Sequence, residues 1–143
     1  MILEQIRAHL IAQGIEGGAT DDPSYWPIKI GFQPSTPNQC ITLYMTPGDE
    51  PGIVKDPSIE PAYDKISFQV RVRSELNDYP GSIAKIQQVF EALHQNEPDA
   101  ISGEQYFVYL YSKNSGPLPM GKDSNDRFEF TWNFYALVSR NTV

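Results

Sequence analysis

KISFQVRVRS, residues 65–74, decides the fold. Ile66, Phe68, Val70 and Val72 share one parity; Ser67, Gln69, Arg71 and Arg73 share the other. Successive side chains of a strand point to opposite sides of a sheet. This period of two therefore predicts a strand with one buried and one polar face. A single covered face is the pattern of an antiparallel sheet.

The pattern extends in both directions. Downstream, Asn77 or Asp78 can cap a helix over 79–94, with Pro80 in its first turn and Ile83, Ile86, Phe90 and Leu93 as its stripe. QYFVYLYS (105–112) and RFEFTWNFYALVS (127–139) read as long strands, the second alternating Phe128, Phe130, Trp132, Phe134 and Ala136 with polar or smaller partners. Between them, 113–126 reads as a loop, long for a hairpin. Upstream, QCITLYMT (39–46) and YWPIKIGF (25–32) read as strands joined by a turn of hairpin length, QPSTPN (33–38). Ile2, Leu3, Ile6 and Leu10 stripe a helix over 2–13, stopped at Gly14. The proline-rich stretch 47–64 reads as a second long loop, and such loops tend to be functional or mobile. The expected order is α-β-β-β-α-β-β. It predicts an α+β fold, a five-stranded mainly antiparallel sheet with two helices on one face, within a single domain over 1–143.

Composition narrows the function classes. The chain has 143 residues, 11 Lys+Arg against 18 Asp+Glu, and a net charge of −7. That acidity argues against a dedicated nucleic-acid binder. Cys40 is the only cysteine, so an internal disulfide framework is excluded and a reducing compartment is expected. No apolar run reaches membrane-spanning length, and MILEQIRAHLIAQ does not read as a secretory leader. Aromatic content of 12% points to a folded chain rather than a disordered one.

Catalytic signals are sparse. His9 and His94 lie on the two expected helices without a second ligand at metal spacing. Cys40 sits mid-strand with no Gly-rich elbow and reads as a buried small side chain. The acidic groups Asp21-Asp22, Asp49-Glu50 and Asp123/Asp126 lie in polar loops, where solvation leaves carboxylates ordinary. DSND at 123–126 lacks the spaced ligands and terminal Glu of a calcium loop. No phosphate-cradling GxxxxGK[ST] or GxGxxG occurs. The aromatic row of the last strand reads as core. Gly121, in PMGKD, is expected at positive φ.

Two segments carry a resemblance. FQVRVRSELNDYPGSIAKIQQVFEAL (68–93) and YFVYLYSKNSGPLPMGKDSNDRFEFTWNFYALV (106–138) resemble the tail terminator and minor capsid (neck) proteins of long-tailed phages and prophages. The matching positions are Pro117, Gly121, Asp123, Arg127, Glu129, Thr131, Asn133 and Phe134. The resemblance implies a structural virion protein with neither catalysis nor cofactor. It implies a homo-hexameric ring at the head-proximal end of the tail tube, assembled in the host bacterial cytoplasm. Tube protein and head connector proteins would be its partners. DNA would pass through without specific binding, and no membrane would be involved.

On that reading, Arg71, Arg73, Arg127 and Glu129 are expected at a subunit interface. Asp49, Glu50, Lys55, Lys113, Lys122, Asp123 and Asp126 are expected in interaction loops. The competing readings are a head–tail joining protein of the same assembly, a small-ligand-binding module whose aromatic strand lines a pocket, and an enzyme using Cys40 or a loop carboxylate.

Overall fold

A computed structural model describes residues 2–18, 24–46, 63–94 and 108–139. In chain order the elements are helix α1 (Ile2–Ala12), strands β1 (Ile28–Ile30), β2 (Cys40–Thr46) and β3 (Tyr63–Leu76), helix α2 (Tyr79–Leu93), and strands β4 (Val108–Ser112), β5 (Leu118–Lys122) and β6 (Arg127–Ser139). The sheet order is β1-β2-β3-β6-β4, with β5 also paired to β6. The fold is α+β, as expected, and the sheet is mixed.

β3 and β6 form its spine. They pair antiparallel from Tyr63↔Ser139 to Leu76↔Arg127. This register stacks the apolar parity of one on that of the other, so Val70 faces Trp132 and Phe68 faces Phe134, whose rings lie 5.5 Å apart. Phe68, Val70, Val72, Trp132 and Phe134 are all buried. Both helices cover this face. α1 contributes Leu3, Ile6 and Leu10, and α2 contributes Ile86, Val89 and Leu93, to one apolar cluster with the sheet. Burying each such side chain contributes about 1.5–3 kcal/mol. His9 is buried and bonds through Nε2 to the Ala92 carbonyl at 3.0 Å, tying the two helices together. Of the two possible caps, Asp78 is the one used. Its Oδ1 accepts from the Gly81 N–H at 3.0 Å, and Pro80 occupies the first turn.

Three expectations need correction. First, the described residues form six strands, because β5 lies inside the stretch read as a loop. β4 pairs with β6 residues 134–138 and β5 with residues 128–131, in the same direction, so the two fill one edge position in tandem. At the break, the Lys113 N–H reaches the Asn133 carbonyl at 2.8 Å, and the Asn114 side chain accepts the Asn133 N–H at 3.2 Å. LPMGK carries no alternation and is exposed throughout, so no periodicity marks it. Pro119, Lys122 and a bulge before Gly121 are the devices that keep an edge strand from pairing further.

Second, 33–38 does not close a hairpin. β1 and β2 are parallel, with Ile28 beside Ile41 and Ile30 beside Leu43. The intervening chain runs back along the end of the sheet, held there by side chains described below. Third, the polar face of the sheet is only partly solvated. Thr42, Ser67, Arg73, Arg127 and Thr131 are all buried on it.

Candidate assembly surface

The helix-free face of the sheet has two ends of different character. At one end, two arginines are spent inside the chain. Arg73, 3% exposed, donates from Nε to the Asn38 carbonyl at 2.7 Å and from a terminal nitrogen to the Pro37 carbonyl at 2.8 Å. Arg127, 6% exposed, donates from Nε to Asp123 Oδ2 at 2.9 Å and from a terminal nitrogen to the Ser35 carbonyl at 2.9 Å. Glu129 beside them accepts from Gln33 Nε2 at 2.9 Å. These contacts fasten the 33–38 segment across the sheet end. A planar guanidinium suits this task, because its fixed fork satisfies several carbonyls at once.

Asp123 organises the adjoining turn. Its Oδ1 accepts the N–H groups of Asn125 and Arg127, at 2.9 and 3.0 Å. Desolvation pushes its carboxyl upward, but the two backbone donors and the Arg127 guanidinium outweigh that and hold it below the ordinary aspartate value. Asp126 takes φ 60°, and Gly121 takes φ 82° within β5. Lys122 and Asp126 form an exposed ion pair at 3.5 Å, of the kind that contributes little.

The other end is basic and aromatic. The rings of Tyr111 and Tyr135 lie 5.3 Å apart, with Tyr109 6.0 Å from Tyr111. Lys65 and Lys113 sit over the Tyr135 ring at 4.1 and 4.7 Å. Mid-face, Arg71 lies 5.5 Å from the Tyr44 ring, and Gln69 donates to Asn133 Oδ1 at 3.1 Å. The alternation of β2, β4 and β6 already places Tyr44, Tyr111 and Tyr135 on this face. Their convergence was missed because it depends on pairing rather than on spacing.

The residues expected at one interface are therefore divided. Arg73 and Arg127 face inward, Glu129 is engaged by Gln33, and Arg71 remains on the open part of the face. Lys113 joins Arg71 there; Lys122, Asp123 and Asp126 belong to the β5–β6 hairpin. Asp49, Glu50 and Lys55, like Asp21 and Asp22, lie outside the described residues.

Among the described residues, the chemistry-bearing groups do not converge. Cys40 is buried, and burial pushes its thiol up against the opposing pull of Arg73. His94 accepts the Ser112 N–H at Nδ1, at 3.0 Å, and stacks on Phe90. Trp132 donates from Nε1 to Ser112 Oγ at 2.6 Å and stacks on Phe90 at 4.3 Å, and with Phe130 and Phe134 it is buried in the core. Among the described residues, no three His, Cys, Asp or Glu side chains gather as a metal site, and no helix is long and apolar enough to cross a membrane.

A sheet braced by helices on one side, with a broad polar face and two tied loops on the other, defines a scaffold that offers surfaces. Comparison of the chain with protein families agrees. Residues 15–140 match the family described as bacteriophage tail terminator protein. The chain belongs to that family, and its role is structural, in the phage tail. Its fold is similar to that of a chain in a solved virion of a native gene transfer agent particle. That chain is 16% identical with a TM-score of 0.55, over 96% of this chain and 91% of the other. A second solved chain, 15% identical with a TM-score of 0.56, shares the fold over 97% of this chain and 96% of its own length. No curated protein matches the sequence.

Proposed function

We propose that this protein closes into a hexameric ring on the head-proximal end of the tail tube, ends tube growth there, and presents the opposite surface to the head connector. The observation that carries the reading is the family match over 15–140, which spans both helices' sheet-facing partners and the whole β3–β6 spine. Residues 1–143 act as one domain in this reading, since a single apolar cluster joins α1, α2 and the sheet. The ring assembles in the host cytoplasm, lets DNA pass without sequence-specific contact, and needs no cofactor.

Tube protein polymerised with and without the purified chain tests this, with tube length read by electron microscopy and native mass measured in parallel. Capping should stop elongation at one end. Six copies of a 16.1 kDa chain should give a discrete species of about 97 kDa. Tubes that elongate from both ends in its presence would refute the reading.

A further inference from the structure

The open part of the helix-free face has a charge opposite to that of the chain. Its strands carry Lys29, Lys65 and Arg71, and Lys113 follows directly on β4, while the acids Glu129 and Glu75 lie at the tied end, where Gln33 and Asn38 donate to them. The chain as a whole has 18 acids and a net charge of −7, so the remaining surface is more acidic than the average.

Arg71 lies at the centre of the patch. Its cross-strand neighbours are Thr42 on β2 and Thr131 on β6. Its Nε is buried and has no hydrogen-bond partner. Ser67 Oγ and Thr46 Oγ1, register partners further along this face, are also unbonded. An unmet buried donor costs about 1–3 kcal/mol, and more when charged. Native structures hold few such groups. Arg71 is only partly buried, and its terminal nitrogens are not among the buried unpartnered atoms, so a carboxylate can meet that outer edge of the planar guanidinium.

We propose that this face docks the acidic surface of a second copy of the chain, with Arg71 receiving a carboxylate and Lys113 adding charge at the margin. The proposal rests on the ring reading. A basic face meeting a different, acidic patch is a heterologous contact, the type that generates closed rings. A nucleic-acid duplex would meet the same cations, but a polyanion approaching a chain of net −7 is repelled by the remainder of the surface. Opposite charges between copies gain where a duplex loses.

The test compares wild type with Arg71→Glu, Arg71→Lys, Lys113→Glu and the off-face control Gln87→Glu on the exposed side of α2, free and bound to tail tubes. Sedimentation reads the mass. Zero-length carbodiimide coupling of isotopically mixed protein reads contacts between copies. Arg71→Glu should raise the dissociation constant of the multimer about tenfold or more. Lys113→Glu should weaken it less, Arg71→Lys should fall between, and Gln87→Glu should leave it unchanged. Couplings from Lys113 to acids of the other isotope should appear. Lys113 is exposed, so its variant carries the test if Arg71→Glu does not fold. A multimer unaffected by Arg71→Glu and Lys113→Glu overturns this assignment and leaves the ring reading standing. A wild type with no multimer in either state overturns the ring reading itself. Loss of short-duplex binding in Arg71→Glu with the multimer intact assigns the face to nucleic acid instead, and coupling to tube protein alone assigns it to the tube; either refutes the proposal.

Discussion

Replacing Arg73 with methionine separates a residue that holds the chain together from one that meets a neighbour. The side chain keeps its length and loses its charge. Two charge-assisted hydrogen bonds disappear, at 2.7 Å to Asn38 and 2.8 Å to Pro37. Each such bond contributes about 1.5–3 kcal/mol. Two effects offset part of the loss. Methionine has no guanidinium to desolvate, and Pro37 is exposed, so water can take over its carbonyl. The net expectation is a destabilisation of about 2 kcal/mol. With a urea dependence of about 2 kcal/mol/M, the unfolding midpoint should fall by about 1 M. Arg73→Lys keeps the charge but cannot fork across two carbonyls, so it should fall between. Hydrogen exchange should quicken locally over 33–39 in both variants. Both midpoints within about 0.2 M of wild type, with exchange unchanged, would refute the reasoning.

Other expectations follow from single positions. Gly121→Ala forces a Cβ onto φ 82° and should cost about 1–2 kcal/mol, lowering the melting temperature by roughly 3–6 °C. Phe68→Ala removes a fully buried ring stacked on Phe134 and should cost about 3–5 kcal/mol, read as a fall in urea midpoint with little change in slope. The lowered carboxyl of Asp123 makes its contribution complete above the ordinary aspartate range and lost as pH falls through the lower folded value. The stability gap between wild type and Asp123→Asn should therefore narrow on acidification, and a gap constant with pH would count against the carboxylate's role in the turn. Cys40 should resist a thiol reagent in the folded chain and react at the rate of unfolding, because the thiolate is the reactive form and burial disfavours it. Rapid labelling under native conditions would sink that account.

Period-two alternation placed β3 and β6 correctly, down to which parity packs under the helices, because a strand covered by helices on one side must write that covering into every second residue. Helix spacing worked for α1. In α2 it found the stripe but set its centre slightly aside: Val89 and Ala92 are buried, whereas Ile83 and Phe90 lie at the rim. LPMGK escaped notice because an edge strand exposed throughout has no burial to record.

What the sequence determined by itself was the α+β class, the order of the described elements other than β5, the aromatic core and the family likeness. All of these depend on local period or on residues close in the chain. Only the tertiary structure decided the parallel pairing of β1 with β2, the tandem edge of β4 and β5, and the use of each arginine. Arg71 and Arg73 are indistinguishable by alternation, two positions apart on one face. One meets a returning loop whose carbonyls absorb its donors, and the other meets an open stretch of sheet with its Nε unused. That difference comes from the position of Pro37 and Asn38, brought from more than thirty residues away, and no reading of the strand alone contains it.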